Sequence, residues 1–185
     1  MEITFRLSTK DIARAKQEIK AYRDGLIEKC RIFVERLADH GISVAQLYTG
    51  EYGNLITFSK EIEATRNGAT GILLAASGTI TRQWMTQGGI KSADISPLLM
   101  VEFGSGWKAS DASGKPNAGV AKALGYGQGT FPGQTHAFDP GGWYWQDLDG
   151  EWHSSEGEEP EMPVFHASMA MEMELFDIAQ EVFGS

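Results

Sequence analysis

One long apolar stripe near the N-terminus constrains the fold more than any other feature of the sequence. Apolar residues recur there at steps of three or four positions, which is the period of one face of an α-helix. The stripe consists of Ile12, Ala15, Ile19, Tyr22, Leu26, Cys30, Phe33 and Leu37. The opposite face is charged and consists of Lys16, Glu18, Lys20, Asp24, Glu28, Arg31 and Glu35. The pattern predicts a long amphipathic helix.

Local signals predict where this helix begins and ends. Ser8 or Thr9 can cap its start, and Asp11 places a carboxylate near the positive end of the helix dipole. The His40-Gly41 pair predicts its end, and a second helical stretch follows over 42–48. A helix of about thirty residues is about 45 Å long at 1.5 Å per residue. Because a small domain is narrower than that, we expect the helix to wrap a core or to project toward neighbouring subunits.

Segments with the residue pattern of β-strands precede and follow the long helix in the sequence. Residues 2–7 alternate between apolar and polar types, which is typical of a half-buried strand. Residues 55–63 and 71–77 favour strands, and the intervening Asn67-Gly68 pair favours a tight turn. We therefore predict an antiparallel hairpin joined by the first strand. The segment 79–89 is ambiguous.

Two further helical segments are predicted. Residues 94–103 indicate a short apolar helix or an extended segment, with Pro97 in the first turn and Gly104 as the stop. A last helix runs from about Phe165 to Phe183. Its apolar residues are expected to cover the sheet: Phe165, Met169, Met173, Phe176 and Val182. The predicted class is α+β, with the two long helices packed on a small antiparallel sheet.

The segment 104–162 is rich in glycine, proline and tryptophan and shows no helical period. We interpret the chain as a single domain, 1–185, with a core of 1–103 and 163–185 and this segment as an inserted loop. Trp143, Tyr144, Trp145 and Trp152 flank an Asp-Gly turn, which predicts an aromatic hairpin. Two interpretations stay open: a contact surface or sugar-stacking platform, or a local mini-core in which aromatic rings bury one another.

Composition narrows the function classes. With 16 Lys and Arg against 25 Asp and Glu, the chain carries a net charge of -9, which disfavours a phosphate-binding surface. The single cysteine, Cys30, cannot form an internal disulfide, so we expect a reducing cytoplasm. The N-terminus does not have the pattern of an export signal, and no apolar run reaches the roughly 18 residues of a membrane span. We expect a soluble protein.

Motifs for catalysis or cofactors are weak. The histidines at 136, 153 and 166, with the aspartates at 139, 147 and 149, do not have a tight zinc spacing. The Gly125–Gly129 run lacks the Lys-Ser/Thr pair of a phosphate loop. No Gly-x-Ser-x-Gly elbow is present. We therefore predict no catalytic, cofactor-binding or metal-ligating residues, and a chain that is not an enzyme.

Two short motifs carry a resemblance to a known family. They are Val101-Glu102-Phe103-Gly104 and Met162-Pro163-Val164-Phe165, the second leading into the terminal helix. Together with the order of strand, long helix and hairpin, the chain resembles the phage tail-component family of head–tail joining, or tail-completion, proteins. The likeness spans nearly the whole chain. The 104–162 loop is longer than in compact members of that family.

The resemblance implies a virion protein, made in the bacterial cytoplasm, that forms a hexameric or dodecameric ring at the neck. Its partners would be the connector or stopper and the tail-tube or terminator proteins, with DNA passing through without specific binding, and no cofactor or membrane. The expected interface residues are Trp143, Tyr144, Trp145, Trp152, Phe131, Phe138, Glu102 and Phe103. The alternatives are a tail terminator or other tail subunit, an aromatic carbohydrate-binding module, and a metal-dependent cell-wall hydrolase.

Overall fold

A computed structural model of the chain describes residues 8–86, 88–105, 143–155 and 157–184. The described elements are α1 (Thr9–Leu47), a 3-10 helix (Gly50–Leu55), β1 (Ile56–Thr65), β2 (Gly68–Ser77), β3 (Ile80–Thr86), β4 (Gly89–Ile95), α2 (Pro97–Phe103), β5 (Trp143–Gln146), β6 (Trp152–Ser155) and α3 (Pro163–Phe183). The α+β class with long N-terminal and C-terminal helices is confirmed. The predicted strand over 2–7 lies outside the described residues.

The described strands form two antiparallel sheets. One is the β1–β2 hairpin, and the other has the strand order β4-β3-β5-β6. Thr65 pairs with Gly68 across the turn of the first hairpin, so the hairpin predicted from Asn67-Gly68 is confirmed. The ambiguous segment 79–89 supplies β3 and the first residue of β4. The second sheet is completed by Gln146, which pairs with Met85.

Helix α1 begins at its predicted cap but ends later than predicted. The backbone N–H of Asp11 donates to Ser8 Oγ at 3.1 Å. The predicted end at Gly41 is wrong, because α1 continues to Leu47 and absorbs the second helical stretch. A Cβ at Gly41 would lie 2.9 Å from Met171 Sδ and 3.0 Å from Leu73 Cδ1. This glycine therefore allows α3 and β2 to approach α1 closely, and it does not terminate the helix.

Helix α1 packs against both the β1–β2 hairpin and α3. The two helices are antiparallel, since Phe33 contacts Phe183 with ring centroids 5.7 Å apart. At the other end, Tyr48 stacks on His166 at 3.9 Å. On the hairpin side, the ammonium group of Lys60 on β1 lies 2.7 Å from the Asp39 carboxylate on α1. Helix α1 thus contacts both the hairpin and α3.

The expectation that the apolar face of α3 covers the sheet is wrong. Met173 and Phe176 are 76% and 81% exposed, while Val182 is buried. The hairpin packs on α1, and α3 packs on α1 beside it, since both approach Gly41. Only part of the apolar surface of α3 is used in this contact.

A small core lies where the 3-10 helix, β1 and α2 meet. Tyr52, Ile56 and Val101 are buried there. Phe58, Ile80, Leu98 and Met100 are partly buried and surround them. The predicted start and stop of α2 are confirmed, with Pro97 in its first turn and Gly104 at its end in a positive-φ conformation of 71°. This core positions α2 next to the first turn of α3.

Candidate functional site

The aromatic hairpin predicted around the Asp149-Gly150 turn is present in the backbone. Strands β5 and β6 pair antiparallel, with Gln146 opposite Trp152. Asp147 organises the turn, because its Oδ1 accepts from the N–H groups of Asp149 at 3.0 Å and Glu151 at 2.9 Å. Gly150 takes the positive φ of 86° that the Asp-Gly signal favours. Trp143, Tyr144, Trp145 and Trp152 thus lie on strands of the second sheet, and their interface role stays a prediction.

The other expected interface residues have different locations. Phe131 and Phe138 lie outside the described residues. Glu102 and Phe103 are 6% and 3% exposed in the single chain. Their interface role stays a prediction, and in the chain itself both are buried at the contact between α2 and α3.

Glu102 caps α3 from a distant part of the sequence. Its Oε2 accepts from the N–H of Val164 at 2.8 Å and its Oε1 from the N–H of Phe165 at 3.3 Å. Pro163 occupies the first turn of α3, and the residue at the cap position, Met162, makes no side-chain cap. Since the first N–H groups of a helix lack partners within the helix, a carboxylate is a favourable acceptor there. The two family-like motifs therefore meet through this carboxylate.

Backbone contacts complete this α2–α3 junction, which we define as residues 101–105 and 158–165. The carbonyl of Val101 accepts from the N–H groups of Glu161 at 2.8 Å and Met162 at 3.1 Å. Ser105 N donates to Glu158 O at 3.0 Å, and Glu158 N donates to Ser105 Oγ at the same distance. The motifs that carry the resemblance thus form a structural junction.

An acidic pocket of about 270 Å³ opens beside the junction. It is lined by Thr49, Gly50, Glu51, Tyr52, Val101, Glu158, Glu159 and Glu161. Burial raises the pKa of the Glu158 carboxyl, and the charge of Glu51 raises it further, while Arg82 and a hydrogen bond from Tyr52 oppose the shift. Burial, together with Glu158 and Glu51, raises the pKa of Tyr52 to about 12. The pocket is therefore a region of unfavourable negative charge in the single chain.

Glu158→Gln is expected to stabilise the protein at pH 7. A folded-state pKa above the ordinary 4.5 means that the folded chain holds this proton more tightly than the unfolded chain. The free energy of unfolding then falls as the pH rises from 4.5 through the folded-state pKa of Glu158, and the glutamine variant avoids this loss. Urea unfolding at pH 4 and pH 7 tests this, with the exposed Glu61→Gln as control. Equal stability of Glu158→Gln and the wild type at pH 7 would contradict it.

Comparison of the chain with protein-family models, with curated proteins and with solved structures found no match. The described residues contain no group of three His, Cys, Asp or Glu side chains that could hold a metal ion. Among the described helices, none combines the length and the apolar character needed to cross a membrane.

Two exposed apolar faces remain on the described surface. The first is on α3 and consists of Met169, Met173 and Phe176, spaced four and three residues apart. We call it the α3 outer face. The second lies on α1 between Thr9 and Leu26, which we call the α1 N-terminal half. The sequence indicates both stripes by their helical period, but it could not show which members are left uncovered.

Proposed function

We propose that this chain is a structural, non-enzymatic subunit of the head–tail junction of a tailed phage, where copies form a ring between the connector and the tail tube. The motifs at 101–104 and 162–165 suggest the family. The observation that carries the proposal is the presence of two exposed apolar faces on different helices of one chain.

The subunits of a closed ring require exposed contact surfaces of this kind, on two parts of the folded monomer. In a cyclic assembly, each subunit binds its neighbours through two different patches, so both must be available on the folded monomer. Contiguous exposed apolar side chains are rare on proteins that work alone, and they mark sites of association. The α3 outer face and the α1 N-terminal half are two separate apolar surfaces that are available for such contacts. A tail terminator would use the same arrangement and is the nearest alternative.

Light scattering during size-exclusion chromatography tests the proposal, on the full chain alone and mixed with the connector and tail-tube proteins of the same virus. We expect a closed oligomer or a stable complex with one of these partners. A chain that stays monomeric in every mixture would overturn the proposal.

A substitution on the α3 outer face tests whether this face takes part in assembly. Phe176→Glu places a charge at the most exposed residue of that face, and we expect it to prevent assembly. Because Phe176 is largely exposed, the free energy of unfolding of the variant should stay within about 0.5 kcal/mol of that of the wild type. Ser168→Glu adds the same charge at another exposed position of α3 and is the matched control. Assembly that tolerates Phe176→Glu as well as Ser168→Glu would remove this face from the interface.

A further inference from the structure

Within the described part of the chain, the α1 N-terminal half is more exposed than the rest of the helix. Every residue from Ile12 to Leu26 is exposed except Ala15, which is buried, whereas most residues from 27 to 38 are partly or fully buried. The four large apolar side chains of this half are between 43% and 57% exposed; they are Ile12, Ile19, Tyr22 and Leu26. The contacts of α1 with α3 include that of Phe33 with Phe183. Most of the stability of a helix in a protein comes from the packing of its apolar face.

The exposed stripe has the spacing of a coiled-coil seam. Ile12, Ile19 and Leu26 follow one another at intervals of seven, and Ala15 and Tyr22 occupy the second apolar position of each repeat. A seven-residue repeat with two apolar positions is the pattern by which helices pack along one another. The stripe therefore fits another helix better than it fits a flat sheet.

The charges beside the stripe indicate that the partner helix is α1 of a second copy, in parallel orientation. One edge is acidic, with Asp11 and Glu18, and the other is basic, with Lys16 and Arg23. In a parallel pair, these edges meet with an offset of five residues. Asp11 then faces the partner's Lys16, and Glu18 faces the partner's Arg23. In an antiparallel pair, acidic edges would meet acidic edges.

We propose that the α1 N-terminal halves of neighbouring copies pack against one another, parallel and in register. In the single chain, Glu18 lies 3.6 Å from Arg14, and Arg23 lies 2.8 Å from Asp24. All four side chains are exposed, so these pairs contribute little and can exchange for contacts between chains. The seam buries Ile12, Ile19, Tyr22 and Leu26.

The inference rests on the proposed ring function and specifies which surface holds the copies together. Parallel packing gives neighbouring copies the same orientation along the ring axis, as a ring at a neck requires.

Ile19→Glu tests the apolar seam in the full chain. We expect its self-association constant, from sedimentation equilibrium, to fall at least about tenfold, because one buried isoleucine is lost from every copy. Ala21→Glu adds the same charge to an exposed position off the stripe and should associate like the wild type. Circular dichroism monitors helix content in both. Equal association of Ile19→Glu and Ala21→Glu would overturn the inference.

A charge exchange tests the parallel register. Glu18→Lys and Arg23→Glu should each weaken self-association, because like charges then face one another across the seam. The double variant restores opposite charges between chains and should associate like the wild type, although its contact with Arg14 is not restored. A double variant as weak as the single variants would overturn the parallel register.

The outcomes separate this inference from the proposed function. If the wild type assembles and every α1 variant assembles equally well, the α1 seam is wrong and the ring proposal stands on other surfaces. If the wild type is monomeric alone and with connector and tail-tube proteins, both proposals are wrong.

Discussion

Glu102→Ala is expected to lower the free energy of unfolding by about 3 kcal/mol, because it removes a buried charged acceptor from two helix N–H groups. The carboxylate is 6% exposed and holds Val164 and Phe165 at the start of α3. Met162 cannot replace it, since that residue makes no side-chain cap. Chemical denaturation measures the loss. Hydrogen exchange should show faster opening at the first turn of α3.

Two companion variants make this result specific. Glu102→Gln keeps the shape and one acceptor oxygen, so we expect a loss between those of the wild type and the alanine variant. Glu161→Ala removes an exposed carboxylate four residues before Phe165 and should change stability by less than about 0.5 kcal/mol. If Glu102→Ala were as stable as Glu161→Ala, the capping role would be wrong.

Gly104→Ala is expected to cost about 3 kcal/mol or more, from backbone strain and a steric clash together. Gly104 has φ 71° and ψ -173°, a conformation that only glycine adopts readily. A Cβ there would lie 2.6 Å from the carbonyl oxygen of Glu158 and 2.9 Å from Pro160 Cδ. Both atoms belong to the α2–α3 junction, so neither can move without opening it. The melting temperature and the urea midpoint should both fall.

Gly25→Ala is the matched control for this substitution. Gly25 lies inside α1, and a Cβ there meets no atom within 4 Å. Since alanine favours a helix over glycine, we expect a gain of about 1 kcal/mol or less. The same chemical change should thus have opposite signs at the two positions. A Gly104→Ala variant that unfolds like the wild type would contradict the geometry of the junction.

The elements that the sequence predicts well are those defined by neighbouring residues. Ser8 with Asp11 predicts the start of α1, Asn67-Gly68 predicts the hairpin turn, and Gly104 predicts the end of α2. In each case the partners of the backbone groups lie within a few residues. A short stretch of sequence is therefore enough to predict each of these element ends.

The errors arose where the deciding contact is distant. Gly41 has the same chemistry as a helix-ending glycine, and only its contacts with Met171 and Leu73 distinguish close packing from termination. Met173 and Phe176 have the period of a buried face, but α1 already covers the hairpin. Glu102 belongs to a recognisable motif, yet the N–H groups it caps are 62 and 63 residues further along the chain. Such pairings require the folded chain.

The reciprocal hydrogen bonds between Ser105 and Glu158 have a consequence for how this protein can diversify. The chain leaves the α2–α3 junction after Ser105 and re-enters it at Glu158, and the segment between them is also held where Gln146 pairs with Met85. The entropy of closing such a loop grows slowly with its length, by about 0.6 kcal/mol for each doubling. Changes of length between these anchor points therefore cost little stability, and the helices and the Ser105–Glu158 pair can stay unchanged.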